Sequence, residues 1–233
     1  MTSSVAIVPA RGGSKRIPRK NIRPFLGRPI LGRVLEQLLA AGCFNEVMVS
    51  TDDAEIAQVA RAHGASVPFM RSAENSGDRA TTVAVLLEVL AQYRRAGKEF
   101  SRLCCAYPTA VFVTPELLRR GLQLLESPGA DSVVPVIRFS TPIERALRID
   151  DGVLRMVEPR HMATLSSELA PAYQDAGQCY WLKTATLLEQ EAIFARHTVP
   201  LVLDRMHAQD IDSEDDWQVA EFKYAYLQAR KER

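Results

Sequence analysis

Residues 9–21 read Pro9-Ala10-Arg11-Gly12-Gly13-Ser14-Lys15-Arg16-Ile17-Pro18-Arg19-Lys20-Asn21, directly after a short apolar run. Gly12 and Gly13 leave room for backbone amides to approach phosphate oxygens, while Arg11, Lys15, Arg16, Arg19 and Lys20 carry charge to neutralise them. The spacing is neither G-x-G-x-x-G nor G-x-x-x-x-G-K-[ST], which argues against a dinucleotide fingerprint and a P-loop. A solvated basic loop is the plainer alternative. Far along the chain stands Gln209-Asp210-Ile211-Asp212. In an extended segment, side chains two apart share a face, so Asp210 and Asp212 aim together and Ile211 aims at the core. Paired carboxylates suit magnesium, which binds through one or two of them together with substrate phosphates. A helix dipole attracts acids too, and it accounts for Glu214, Asp215 and Asp216, but Asp210 and Asp212 lie upstream of that helix. His207 nearby reads as a surface or core residue rather than a further ligand.

The elements that must position these groups alternate. Apolar runs at 5–8, 47–49, 103–106, 131–137, 178–182 and 199–203 have strand length, the first stopped by Pro9. Between them, Ile30, Leu31, Val34, Leu35, Leu38 and Leu39 recur at helical spacing. Residues 54–63 form a second helix ended by Gly64, and Val83, Leu86, Leu87 and Leu90 mark a third. Thr114-Pro115-Glu116 is a helix start, and Ser213-Glu214-Asp215-Asp216 is a capping box whose helix buries Trp217, Ala220, Tyr224 and Leu227. The alternation predicts an α/β fold, a mostly parallel sheet with helices on both faces. Residues 1–233 are read as one domain, in which 139–173 break the alternation. There, segments 143–149 and 153–157 flank Asp150-Asp151-Gly152 as a hairpin whose apolar residues a partner subunit could cover.

In open α/β sheets ligands bind beyond the carboxyl ends of strands, and the polar clusters fall there. They are the basic loop, Ser50-Thr51-Asp52, Tyr107-Pro108-Thr109 and the Asp210/Asp212 pair. A basic loop meeting an acidic pair at one sheet edge would hold a metal-bound triphosphate. Asp52 reads first as a helix cap.

Composition excludes some classes. A net charge of +1 gives no reason for binding to nucleic acid or to a membrane surface. No apolar run approaches the ~20 residues needed to span a bilayer, and Met1-Thr2-Ser3-Ser4 is unlike a secretory signal. The four cysteines, without C-x-x-C, read as reduced packing residues of a cytoplasmic protein.

Residues 10–22, with Val49-Ser50-Thr51-Asp52-Asp53 and Gln209-Asp210-Ile211-Asp212, resemble the CMP-sialic acid synthetase family. Residues 139–146, 172–181 and the closing-helix set Trp217, Ala220, Glu221, Lys223 and Tyr224 resemble its pseudaminic acid branch more narrowly. The likeness spans nearly the whole chain. It implies a nucleotide-sugar-transferase, Rossmann-like fold, and a homodimer in which 139–173 reach the neighbouring subunit. The implied substrates are CTP and a nine-carbon acidic sugar, with Mg2+ as helper ion. The implied reaction is attack of the sugar's anomeric hydroxyl on the α-phosphorus, releasing pyrophosphate.

By that resemblance Arg11, Ser14, Lys15, Lys20 and Asn21, with Gly12 and Gly13 between them, face the nucleotide, Lys20 nearest the reacting phosphorus. Arg71 and Asp78 match nucleotide-side positions, and Tyr107, Gln178 and Tyr180 would border the sugar. Asp210 and Asp212 match the magnesium ligands, and with Lys20 and Arg11 form the expected catalytic set. Two positions depart from the pattern. Leu165 stands where many relatives carry arginine, and Tyr107 where sialate enzymes present glutamine. Transfer to another base or to another acidic sugar, and non-catalytic nucleotide binding, are the competing readings.

Overall fold

The structure is a computed structural model that describes residues 3–231. Its centre is a seven-stranded sheet. The strands are β1 (Ser4–Pro9), a small hairpin of β2 (Pro24–Phe25) and β3 (Arg28–Pro29), β4 (Glu46–Ser50), β5 (Arg102–Ala106), β6 (Ser132–Arg138), the insertion strands β7 (Leu147–Asp150) and β8 (Val153–Met156), β9 (Tyr173–Asp175), β10 (Cys179–Lys183) and β11 (Thr198–Leu203). The helices are α1 (Ile30–Ala40), α2 (Ala54–Ala62), α3 (Thr82–Arg95), α4 (Pro115–Leu125), α5 (Thr184–Gln190) and α6 (Glu214–Lys231).

The main sheet runs β11-β6-β10-β5-β1-β4, with β9 also on β6. Neighbours β5, β1 and β4 are parallel, as are β6 and β11, while β9 and β10 run antiparallel to the rest. The chain leaves β1 for β4 on one side and returns to β5 on the other. That reversal opens a crevice beyond the carboxyl ends of β1 and β5.

The continuous apolar runs are explained by burial on both faces. Ala6 and Val8 of β1 pack with α1, α2, α4 and α6, whereas Val5 and Ile7 pack with α3 and α5. Thr114 caps α4 by accepting from the Leu117 amide at 3.2 Å, with Pro115 in the first turn. Ser213 and Asp216 exchange the two hydrogen bonds of a capping box, at 3.2 and 2.8 Å. Trp217 and Ala220 are buried as the spacing predicts, with Tyr224 and Leu227 packed at the core margin.

Three local differences stand out. Pro9 does not stop β1 but closes it opposite Ser50, because the last ladder bond there is donated by the Ala10 amide. The first hairpin strand starts only at Leu147, since Pro142 leads 143–145 into a 3-10 turn. Its partner ends at Met156. Asp151 and Gly152 both take positive φ, 51° and 78°, as a two-residue type I′ turn requires.

Candidate active site

The basic loop after β1, the Tyr107-Pro108-Thr109 turn after β5 and the Asp210/Asp212 segment close around one cleft of about 410 Å³. Arg11, Ser14, Lys15, Arg16, Lys20 and Asn21 line one side, with Tyr107, Thr109, Thr82, Asp210 and Asp212 opposite. A larger cavity of about 570 Å³ lies between α3 and α5 at the other end of the parallel strands. Its wall combines apolar residues such as Leu87, Leu90, Phe100 and Leu188 with both signs of charge, Arg94 and Lys98 beside Glu99 and Glu191, and it holds none of the loop cations or the acidic pair of the cleft.

Loop and acidic pair meet as the charge pattern predicts. The Lys20 ammonium donates to the Ile211 carbonyl at 2.6 Å and lies 3.4 Å from an Asp212 oxygen. Arg16 pairs with Asp212 at 2.7 Å. Two anchors set this juxtaposition. Ile211 is fully buried, which fixes the backbone between the two aspartates. The loop exit is pinned to α6, where Arg23 lies over the Trp217 ring at 4.5 Å and pairs with Glu214 at 2.6 Å. Phe25 packs edge-on against Trp217 and Tyr224, each at 5.5 Å.

Among the described residues, Asp212 is shared between two cations, whereas Asp210 has none within ion-pair distance. Partial burial first, and the nearby Asp212 charge second, push the Asp210 carboxyl above its ordinary range. Two crowded carboxylates with incomplete compensation fit a hard cation that takes its other ligands from phosphates and water. Among the described residues, no cluster of three or more His, Cys, Asp or Glu side chains is arranged to hold a metal by itself. Gly177, at φ 62° in the break between β9 and β10, lets Asp210 approach. A Cβ there would sit 3.3 Å from the Asp210 carboxyl carbon.

Other expected residues are placed as follows. Asp78 binds Arg11 at 2.8 Å and Lys15 at 2.5 Å, and these cations hold its carboxyl below the ordinary range, Lys15 foremost. Arg71 does not line the cleft. It is buried beneath, bonded to the Ser50 hydroxyl at 3.0 Å and to the Ser50 carbonyl. Asn21 is buried and ties the loop together by donating to the Arg11 carbonyl at 2.9 Å. Tyr107 lies in the wall, its hydroxyl 3.5 Å from Thr82 Oγ1. Gln178 and Tyr180 are buried behind it. Tyr180 stacks edge-on with Tyr107 at 5.3 Å and donates to Asp175 at 2.9 Å. The Gln178 carboxamide oxygen is buried and has no hydrogen-bond partner among the described residues. His207 is exposed, apart from the carboxylate pair.

Two readings of the loop are corrected. Asp53, not Asp52, caps α2, because its extended backbone brings Oδ1 to the amides of Glu55 and Ile56 at 2.9 and 3.0 Å. Asp52 instead accepts from the Gly12 amide at 2.9 Å. That amide is therefore occupied here, and Gly12 serves close approach, since a Cβ would fall 2.7 Å from an Asp53 oxygen. Nor does Arg19 face the cleft. It folds back on Asp53, at 2.5 Å, and on Glu55. One residue that lines the cleft, Thr82, lay outside the sequence reading, and one that the closing-helix likeness included, Lys223, had no role there. Thr82 could have been found from the threonine pair opening a helix at the sheet's carboxyl edge. Lys223 holds the acidic segment by donating to the Arg205 and Ala208 carbonyls and to Gln209, at 2.9–3.0 Å. The likeness marked the residue, but its three acceptors follow only from the fold.

Residues 5–229 match the family model described as cytidylyltransferase. A pseudaminic acid cytidylyltransferase of Campylobacter jejuni is 35% identical over 222 residues, covering 95% of this chain and 96% of that protein. A CMP-N,N'-diacetyllegionaminic acid synthase of Legionella pneumophila is 30% identical over 220 residues, covering 93% and 94%. Among solved structures, a CMP:2-keto-3-deoxy-manno-octonic acid synthetase complexed with CTP superposes with a TM-score of 0.69 at 17% identity, covering 99% of this chain and 100% of that one. This last likeness concerns the fold.

Proposed function

Because this chain belongs to the cytidylyltransferase family, we propose that it transfers CMP from CTP to the anomeric hydroxyl of pseudaminic acid, releasing pyrophosphate. The observation that carries the reading is the meeting of Lys20 and Arg16 with the Asp210/Asp212 segment in one cleft. The 35% identity to a pseudaminic acid enzyme along almost the full chain supports the choice of acceptor.

In the reaction, the anomeric oxygen forms a bond to the α-phosphorus, the bond to the pyrophosphate oxygen breaks, and the hydroxyl proton passes to solvent water. The protein aligns the reactants and stabilises growing charge. Arg11 and Lys15 engage the phosphate chain, exchanging their present partner Asp78 for it. Lys20, held at the Ile211 carbonyl, stands over the reacting phosphate. Tyr107 forms an aromatic wall toward the acceptor. Asp210 and Asp212 would hold a magnesium ion, whose charge would offset that of the triphosphate and of the departing pyrophosphate.

We also propose a homodimer through residues 139–173. Ile149, Leu154, Met162 and Leu165 are each more than 60% exposed there, a surface of the kind proteins usually cover. The catalytic reading is tested by incubating the protein with magnesium, each of the four nucleoside triphosphates and pseudaminic acid, then analysing products by mass. A CMP-linked sugar formed from CTP is expected. Product from another nucleotide, or none from CTP, would contradict it.

A further inference from the structure

Arg19 is one of the loop cations, yet it points away from the cleft and needs an explanation of its own. Its backbone is left-handed, at φ 54° and ψ 28°, a region that residues other than glycine disfavour. Its guanidinium is held by both oxygens of Asp53, at 2.5 and 3.2 Å, and by Glu55. Asp53 is itself fixed as the cap of α2 and lies against the Gly12 backbone. The next residue in sequence is Lys20, which opens a 3-10 turn whose first carbonyl acceptor is that of Arg19, bonded by the Ile22 and Arg23 amides at 3.0 Å. The direction in which Lys20 leaves the chain is therefore set by the left-handed residue before it.

We propose that Arg19 is a positioning residue: anchored to Asp53 at the start of α2, it holds residue 19 left-handed and so aims the Lys20 ammonium into the cleft. Arg19 does not line the cleft and touches no reacting atom. The inference rests on the cytidylyl-transfer reading for its effect on rate, but the aim of Lys20 is measurable without turnover.

The experiment compares the wild type with Arg19→Ala, Arg19→Gly, Arg19→Lys and Asp53→Asn. The first readout is the rate of trace reductive methylation at Lys20, normalised to an exposed lysine such as Lys15 and measured without substrates. In the wild type Lys20 is held by Ile211 and Asp212 and should label slowly. In Arg19→Ala its labelling should rise several-fold, and in Arg19→Gly less, because glycine tolerates the left-handed backbone. The second readout is turnover. Arg19→Ala should lower kcat on the order of tenfold to a hundredfold while the KM for CTP changes far less. Arg19→Lys should recover part of the rate, and adding Lys20→Ala to Arg19→Ala should cost less than Lys20→Ala alone.

Unchanged Lys20 labelling in Arg19→Ala and Asp53→Asn would overturn the proposal, as would rate effects of Arg19→Ala and Lys20→Ala that simply multiply. If Arg19→Ala does not fold, Asp53→Asn, which weakens the same anchor, gives the comparison, with a smaller rise expected in Arg19→Gly. A wild type that transfers no CMP, yet shows the labelling change, would sink the catalytic reading and leave the positioning one standing.

Discussion

Lys20 and Arg11 sit at the two ends of one loop, and their surroundings assign them different work. Lys20 is only 20% exposed and is oriented by a backbone carbonyl, so its charge is already in place when the phosphate charge redistributes. Lys20→Ala should lower kcat on the order of a hundredfold with a smaller change in the KM for CTP. Arg11, paired with exposed Asp78, should behave conversely, Arg11→Ala mainly raising KM. Steady-state kinetics separate the two, and a Lys20 variant with only a raised KM would contradict the assignment. The two aspartates also differ. Asp210 is crowded by Asp212 and, among the described residues, has no ion-pair partner, whereas Asp212 pairs with Arg16 and Lys20. Asp210→Asn should raise the melting temperature of the magnesium-free protein, since it removes a repulsion. Asp212→Asn should lower it, since it strips two cations of their partner. Both should reduce turnover by orders of magnitude. Normal rates at low magnesium in either variant would remove the metal role.

At the scale of elements, the start of α2 organises the loop. Asp53 caps the helix, anchors Arg19, and lies so near Gly12 that a methyl group there meets its carboxylate. Arg19 in turn holds the Asp53 carboxyl down at about 2. Gly12→Ala should therefore destabilise the protein by about 1–3 kcal/mol and weaken CTP binding as the loop lifts. Thermal unfolding and calorimetry check this, and a variant with unchanged stability would show that the loop has slack. Most of the larger elements were legible in the sequence because they carry their own signals, whereas the short strands β2, β3 and β9 and the helix α5 were not read from it. Apolar runs marked the strands, Thr114-Pro115 and the Ser213/Asp216 box marked helix starts, and Asp151-Gly152 marked a turn. The side-chain pairings were less legible. Whether Asp52 or Asp53 caps α2 depends on which has extended backbone, and that is settled by contact with Gly12 forty residues away. Arg19 counted as a phosphate cation by type, but its direction follows from its left-handed backbone and from α2. Lys223 serves three acceptors in a segment that no helical pattern identifies.

At the scale of the molecule, the sheet order brings the loop after β1 beside the turn after β5, and α6 closes the acidic segment over both. Among the described residues, 139–173 gather the densest set of exposed apolar side chains, with Ile149 at 73% exposure, although Phe222 of α6 is exposed to a similar degree. Light scattering at micromolar concentration should report a dimer, and Ile149→Asp with Leu154→Asp should shift it toward monomer. A wild-type monomer would refute that role for residues 139–173. The acceptor is the most specific part of the account. Tyr107 presents an aromatic face backed by Tyr180, where sialate enzymes of the resembled family present a glutamine amide. Such a wall tolerates a methyl group but leaves an extra hydroxyl without a partner, a loss of roughly 1–3 kcal/mol per group. That amounts to about tenfold to a hundredfold in rate, before any clash of stereochemistry is added. The deciding measurement is kcat/KM with CTP and magnesium for pseudaminic acid and N-acetylneuraminic acid side by side. Pseudaminic acid should be used at least tenfold better; equal or better use of N-acetylneuraminic acid would contradict the choice of acceptor.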